Sequence, residues 1–284
     1  MDWVKLIADA IAYMENHLED DITVQEIAKK ENISPFYFQK GFSILCGYSV
    51  SEYLRCRRLS EAGRELLTTD KKVIDIALKY GYESPDSFSR AFYKFHGCTP
   101  TDARNNGALL KSYAPLKIKL ILEGGTTMEY RIEKKEAFTV MGISEEFSYE
   151  HANSEIPAFW DRVHGNPDTR RVMGMYGICY DSEMAGNSFR YMIADDLVKE
   201  KAREAGLEIT AVPAHTWAVF PCRGAMPLPL QELNRRIFSE WLPANEYEIA
   251  EGYNIEYYSD PAQFPLGTQD PNYYTEVWIP VKKK

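Results

Sequence analysis

The chain has 284 residues, 45% of them hydrophobic and 26% charged, with 33 Lys+Arg against 42 Asp+Glu and a net charge of -9. That is an ordinary globular composition, of a length that suggests roughly two domains. No apolar run approaches the ~20 residues of a membrane helix; segments such as 277–281 are among the longest. The first seven residues show no basic stretch leading into an apolar run with a small-residue cleavage site, so no secretory signal is expected and the expected location is the cytoplasm. Cys46, Cys56, Cys98, Cys179 and Cys222 are odd in number, scattered, and form no Cys-x-x-Cys pair. Neither a disulfide framework nor a zinc site is expected, and no metal or cofactor is implied.

The acidity is unevenly spread. Residues 1–107 carry 14 Lys+Arg against 16 Asp+Glu (net -2), which leaves 19 against 26 (net -7) for the remainder. A near-neutral first part leaves room for one basic face despite the overall charge.

The first part reads as successive short helices. Val4, Ile7, Ala8, Ile11, Met14 and Leu18 follow a helical period with one apolar stripe. Thr23-Val-Gln-Glu26 and Ser49-Val-Ser-Glu52 fit the capping box, in which a hydroxyl and a carboxylate satisfy backbone donors at a helix start. Ser34-Pro35 and Ser84-Pro85 offer an N-cap followed by a proline in the first turn, and Gly47, Gly81 and Gly97 stand where helices would stop. The pattern predicts an all-α domain of about seven helices.

From Ser112 the character changes. Leu116, Ile118, Leu120 and Leu122 approximate a period of two, suggesting a strand, and Gly124-Gly125 a turn. Strand-like stretches follow near 130–132, 138–143, 173–179, 189–194, 214–220, 254–258 and 276–281, with helical patterns near 156–163, 195–205 and 228–241. The predicted class is multidomain: an all-α domain over 1–108, a linker that could include a first strand over 109–125, and an α+β domain over 126–284.

Both halves contain a repeat. Val24, Ile27 and Ala28 match Val73, Ile76 and Ala77 at an offset of 49, and Ser34, Pro35, Phe38, Phe42 and Gly47 match Ser84, Pro85, Phe88, Phe92 and Gly97 at an offset of 50. In the second half, Leu207-Glu208, Trp217 and Val219 follow Met128-Glu129, Phe138 and Val140 at an offset of 79. Each copy there precedes a helix and two strands.

Each copy of the first repeat has the plan of a helix-turn-helix, whose second helix enters the major groove, where base edges are distinguishable. A connecting helix of ~25 Å, at 1.5 Å per residue, would let the two recognition helices lie about one DNA turn, ~34 Å, apart. Phe38 and Phe42 are i, i+4 and face inward, leaving Phe36, Gln39 and Lys40 to point elsewhere; Phe88 and Phe92 likewise leave Asp86, Ser87, Arg90 and Lys94. Gln and Arg make bidentate contacts to base edges, Asp accepts from cytosine, and lysines suit phosphates.

The run Tyr53-Leu54…Arg58-Leu59…Ala62…Leu66-Leu67, then Ile76-Ala77…Gly81-Tyr82-Glu83-Ser84…Phe88-Ser89-Arg90…Phe92…Gly97…Thr99-Pro100…Arg104, resembles the DNA-binding domain of AraC/XylS-type transcriptional regulators over about residues 3–107. Ala103 stands where that family usually has an aromatic, and Lys40 where it often has an arginine. The resemblance implies promoter DNA and RNA polymerase as partners, with Phe36, Gln39, Lys40, Asp86, Ser87 and Arg90 lining the base-reading faces.

The second half is acidic and rich in aromatics. Strand alternation puts Glu256 with Tyr258 on one face, and Glu276 with Trp278 on one face. A carboxylate beside aromatic rings suits an organic cation. Glu129-Tyr-Arg-Ile132, 138–143, Ala214-His-Thr-Trp217-Ala-Val-Phe220, Trp241-Leu-Pro243 and Glu276-Val-Trp278-Ile-Pro280 resemble the GyrI-like, or BmrR-type, small-molecule-binding domain, built from two pseudo-symmetric halves around a cleft. That resemblance implies Glu276 and Glu256 as cleft residues; Trp217, Tyr258, Trp278, Trp160 and Tyr176 are expected to line the cleft with them. The expected function is a ligand-responsive DNA-binding regulator with a hydrophobic, cationic effector. The alternative is a sequestering or hydrolytic protein with a relic DNA-binding half. His151, His164 and His215 stand near no nucleophile motif, so no catalytic residue is assigned.

Overall fold

The computed structural model describes residues 3–105, 108–117, 127–149, 151–165, 170–180, 188–250 and 252–284. The predicted strand over 116–122 and its glycine turn lie, beyond residue 117, outside the described residues. Leu116 and Lys117 carry no regular structure.

The first unit has the seven expected helices: α1 (Trp3–Asn16), α2 (Val24–Lys30), α3 (Pro35–Cys46), α4 (Val50–Thr68), α5 (Val73–Lys79), α6 (Pro85–His96) and α7 (Pro100–Asn105). Their ends obey the chemistry in the sequence. The Thr23 hydroxyl accepts from the Glu26 amide while the Glu26 carboxylate accepts from the Thr23 amide, a reciprocal box. Ser34 and Ser84 accept from the Tyr37 and Ser87 amides ahead of prolines, and Gly47 and Gly97 close α3 and α6 at φ of +76° and +85°, a region that penalises a Cβ. Thus α2–α3 and α5–α6 form the two helix-turn-helix copies, joined by α4.

The second unit is one antiparallel sheet with helices against it. Its elements are β1 (Arg131–Lys135), β2 (Phe138–Ser148), α8 (Ala152–His164), β3 (Tyr176–Tyr180), β4 (Ser188–Asp196), α9 (Lys199–Glu204), β5 (Glu208–Val212), β6 (His215–Arg223), α10 (Leu228–Arg236), β7 (Tyr247–Ile249), β8 (Tyr253–Tyr258) and β9 (Tyr274–Lys283). The strand order β1-β6-β9-β8-β3-β4-β2-β5 reads alike from either end, with β3 and β8 meeting at the centre. The segments β2-α8-β3-β4 and β6-α10-β8-β9 are the two copies of the weaker repeat. Three expectations are corrected. The helix expected over 195–205 starts at Lys199 because β4 runs on to Asp196, and the helix over 228–241 is α10 followed by a π-helical turn, Ile237–Trp241. Strands β5 and β7 add to the expected set, both short and both at the margins of the pairing.

Two apolar clusters occupy the two faces of the sheet. On the face without the long helices, Tyr176, Trp217, Val219 and Trp278 pack together. On the other face Phe147, Tyr191, Phe220 and Val277 meet α8 and the π-helical turn, and this cluster continues without a break into Trp3, Phe36 and Phe38 of the first unit. Trp3 meets Phe238 edge to face at 5.1 Å, and its ring lies against α3 at Gly41, where a Cβ would stand 2.2 Å from the indole. The glycine is what lets α1 bring its tryptophan against α3 and the second unit at once. No helix among the described residues is long and apolar enough to cross a membrane.

Candidate DNA-reading faces and effector cleft

The two recognition helices present different surfaces. On α6, Phe88 and Phe92 are fully buried while Asp86, Arg90 and Lys94 are exposed; the Ser87 hydroxyl is tied to Ser84 at the helix start. A row of one acid and two bases is thus open to solvent. On α3 the inward Phe38 and Phe42 are equally buried, but Phe36 and Gln39 are only 1% and 2% exposed and Lys40 is half-buried.

The cover is the second unit. Phe36 meets the Tyr149 and Phe189 rings edge to face at 6.2 and 6.1 Å. The Tyr37 hydroxyl donates to the Tyr253 carbonyl, and the Lys40 ammonium donates to Asn254 Oδ1 at 2.5 Å. The expectation that Phe36, Gln39 and Lys40 point away from the helix-turn-helix core holds, but here they point into protein rather than to an open groove-facing surface. The cause is legible in hindsight: Phe36, Tyr37 and Ile44 on α3 stand where α6 has Asp86, Ser87 and Lys94. An apolar outer face is withdrawn from water by docking.

Between α3 and the sheet lies a cavity of about 710 Å³, walled by Phe36, Gln39 and Lys40 on one side and by Tyr149, Phe189, Tyr191 and Glu256 on the other. The Glu256 carboxylate accepts from the Tyr258 hydroxyl at 2.9 Å and the Tyr191 hydroxyl at 3.3 Å, and Tyr191 accepts in turn from the Trp160 indole at 2.9 Å. Burial, reinforced by the adjacent carboxylate, pushes both tyrosines well above their ordinary range, so they remain donors. Gly177, paired with Glu256 across β3 and β8, makes room: a Cβ there would lie 2.1 Å from the Tyr191 hydroxyl. Cys179 also faces the cavity, but burial raises its thiol to about 12, leaving it neutral and a poor nucleophile. No cluster of three or more metal-ligating side chains occurs among the described residues.

A family model described as a GyrI-like small molecule binding domain matches residues 128–282, more than half of the chain. The chain belongs to the GyrI-like family. A helix-turn-helix domain model matches residues 27–106. The right origin-binding protein of Escherichia coli (strain K12) is 24% identical over 295 residues, covering 100% of both chains. The regulatory protein SoxS of the same strain is 36% identical over 105 residues, 37% of this chain and 98% of SoxS, which places the first unit in the AraC-type helix-turn-helix family. A solved structure, SAV2435 bound to tetraphenylphosphonium, is 23% identical with a TM-score of 0.46, covering 55% of this chain and 94% of that one. The chain thus joins a DNA-binding helix-turn-helix unit to a small-molecule-binding one.

Within the GyrI-like domain the expected cleft residues divide between two faces. Pairing of β8 with β9 sets Tyr257 opposite Glu276 and Glu256 opposite Val277. Cross-strand partners share a face, so Glu256 and Tyr258, with Trp160 packed on Tyr258 at 5.0 Å, lie on the helix-bearing side. Glu276, Trp278, Trp217 and Tyr176 lie on the other. The expectation of one cleft holding both glutamates is therefore corrected: a register offset of a single residue sends them to opposite sides.

The two carboxylates also differ in charge balance. Glu276 takes a bidentate grip from Arg131 at 2.9 and 3.2 Å and further donors from Tyr274 at 2.5 Å and the Trp278 indole at 2.6 Å. Burial alone would raise its carboxyl, but the Arg131, Tyr274 and Trp278 donors outweigh it and hold the group below the usual range, ionised and already neutralised. Arg131 was legible only as part of a family motif, and its pairing depends on β1 lying beside β6 and β6 beside β9. Tyr149, Phe189 and Tyr191 were also missed as cleft residues, as was Asn254 as the partner of Lys40. Alternation along β4 would have grouped Phe189 with Tyr191; nothing in the local pattern tells which face receives α3.

Proposed function

We propose that the chain is a ligand-responsive transcriptional regulator, working in the cytoplasm with RNA polymerase. Residues 1–108 read double-stranded promoter DNA through Asp86, Ser87, Arg90 and Lys94 of α6 and through Phe36, Gln39 and Lys40 of α3. Residues 126–284 bind a hydrophobic cation. The observation that carries the effector half is Glu256, a carboxylate held by two neutral tyrosine hydroxyls on the wall of a large, aromatic-lined cavity. Glu256 takes these hydrogen bonds from neutral hydroxyls, whereas Glu276 has spent its charge on Arg131. The aromatic walls supply area and ring faces for an organic cation. No catalytic role is assigned to the cleft, where burial keeps the Cys179 thiol neutral.

Calorimetry with tetraphenylphosphonium and the neutral triphenylphosphine oxide tests this reading. The cation is expected to bind more tightly, and Glu256→Gln, nearly isosteric, is expected to cost the cation about 1–3 kcal/mol of through-space attraction while leaving the neutral compound unchanged. Equal loss for both compounds, or loss only in Glu276→Gln, would refute the assignment to Glu256.

A further inference from the structure

The outer face of α3 offers the GyrI-like domain an aromatic ring and an ammonium. Phe36 sits against Tyr149 and Phe189, while Lys40 reaches Asn254, two residues along β8 from Glu256. Lys40, Cys179 and Glu256 line the same cavity, so the ammonium and the carboxylate address one region of the cleft. A ring beside a positive charge is also the chemistry of the effector argued above.

We propose that α3 is the resident wall that closes the effector cleft, and that a hydrophobic cation seated at Glu256, brought against the Lys40 ammonium lining the same cavity, displaces it, so that filling the cleft and releasing the first DNA-reading face are one event. This rests on reading the Glu256 cleft as the effector site. The docked state has a built-in weakness that favours exchange. Gln39 Nε2 is buried at the contact without a hydrogen-bond partner, an arrangement that penalises docking because the amide gives up water and gains nothing. On release Gln39 regains solvent, or a base edge with which its amide can make two hydrogen bonds.

The second helix-turn-helix needs no such release, since Asp86, Arg90 and Lys94 of α6 are exposed while α3 is docked. The chain without effector should therefore engage DNA through one major-groove segment, and the chain with effector through two. Linkage then fixes a quantitative relation: the factor by which the cation tightens DNA binding equals the factor by which DNA tightens cation binding.

The test uses the full chain and a duplex enriched from a random pool by the Asn254→Ala variant, which removes the acceptor for Lys40 from the side of the contact that does not touch DNA. Tyr37→Phe, which deletes only the hydroxyl donated to the Tyr253 carbonyl, is a second variant in case Asn254→Ala fails to fold. Tetraphenylphosphonium is expected to tighten wild-type DNA binding at least tenfold, to extend the footprint from one groove segment to two, and to speed amide hydrogen exchange along α3. Either variant should reproduce those changes without the cation. Slower exchange in α3, or weaker DNA binding, when the cation is present would overturn the proposal by showing that the cation seals the contact. So would a two-segment footprint in the cation-free wild type. If the cation fails to bind while the variants still free α3 and strengthen DNA binding, the cationic-effector reading falls and the docking of α3 against DNA binding stands.

Discussion

The two helix-turn-helix copies are a natural controlled comparison: same caps, same inward phenylalanine pair, same closing glycine, opposite fates for the outer face. At the matched positions, Phe36, Tyr37, Lys40 and Ile44 of α3 correspond to Asp86, Ser87, Arg90 and Lys94 of α6. One face is buried against the GyrI-like domain and the other is bare. A repeat therefore preserves what builds the motif and is free to diverge where the motif meets something else. The difference between copies, more than their likeness, shows which one has acquired an intramolecular partner.

The strongest way to break that comparison is to remove what ties the first copy to its partner. Trp3 is 1% exposed and touches both Gly41 of α3 and Phe238 of the π-helical turn. Trp3→Ala is expected to cost about 3–5 kcal/mol in urea denaturation, as large-to-small changes of aromatic core residues do. The matched glycine sharpens the point. Gly41 occupies the position of Ala91 in the second copy. Gly41→Ala drives a Cβ into the indole and is expected to destabilise by about 1–3 kcal/mol despite the better helix propensity of alanine. Ala91→Gly has no ring to release and should lose only about 1 kcal/mol, the propensity difference. If Gly41→Ala is neutral, the indole can move aside and α3 is not held as tightly as its burial implies.

How much of this was legible in the sequence follows from the range of the interactions. The caps at Thr23, Ser34 and Ser84 and the turns at Gly47 and Gly97 are settled within four or five residues, and they read directly. The strand set was legible for the same reason, except where short margins such as β5 and β7 carry too few alternations to register. Face assignment is different. Glu256 and Glu276 each alternate correctly within their own strand, but only the β8–β9 pairing decides whether they look at each other, and it places them back to back. The burial of Phe36 and Gln39 is longer in range still, because the partner lies more than 100 residues away in the chain. What local chemistry could have shown is that the outer face of α3 is too apolar for a surface left open to water.

A second test acts on the bare copy. Arg90 is exposed on α6, and if it reads a guanine edge, Arg90→Ala should lose about 1–3 kcal/mol of discrimination at one base pair and little elsewhere. Lys94→Ala should weaken binding to all sequences alike and make affinity less salt-dependent, as loss of a phosphate contact does. Anisotropy titrations of specific and random duplexes at two salt concentrations separate the two outcomes. Equal loss on both duplexes for Arg90→Ala would reassign that residue to the backbone and leave base reading in the second copy to Asp86.

The smallest expected effect comes from the last matched pair, Cys46 ending α3 and His96 ending α6. Burial lifts the Cys46 thiol to about 11, so it stays neutral at every pH from acid to mildly alkaline, and the first copy carries no titrating group there. His96 is buried against Leu59, with Nε2 3.0 Å from the Leu59 carbonyl and Nδ1 accepting the Lys111 amide at 3.1 Å. Both contacts are satisfied by the neutral tautomer protonated at Nε2. Adding a proton at Nδ1 would destroy the acceptor, and burial opposes the charge, so the folded-state value lies below the ordinary 6.5. The unfolded chain therefore takes up the proton first. The stability associated with His96 is complete above about pH 6.5 and declines as the pH falls from there toward the depressed folded value. Urea midpoints of the full chain measured between pH 7.5 and 5 should show this decline, and His96→Cys, which copies the residue of the first repeat, should flatten it. A decline of the same steepness in the variant would mean that another group drives it and that His96 titrates alike in the folded and unfolded chains.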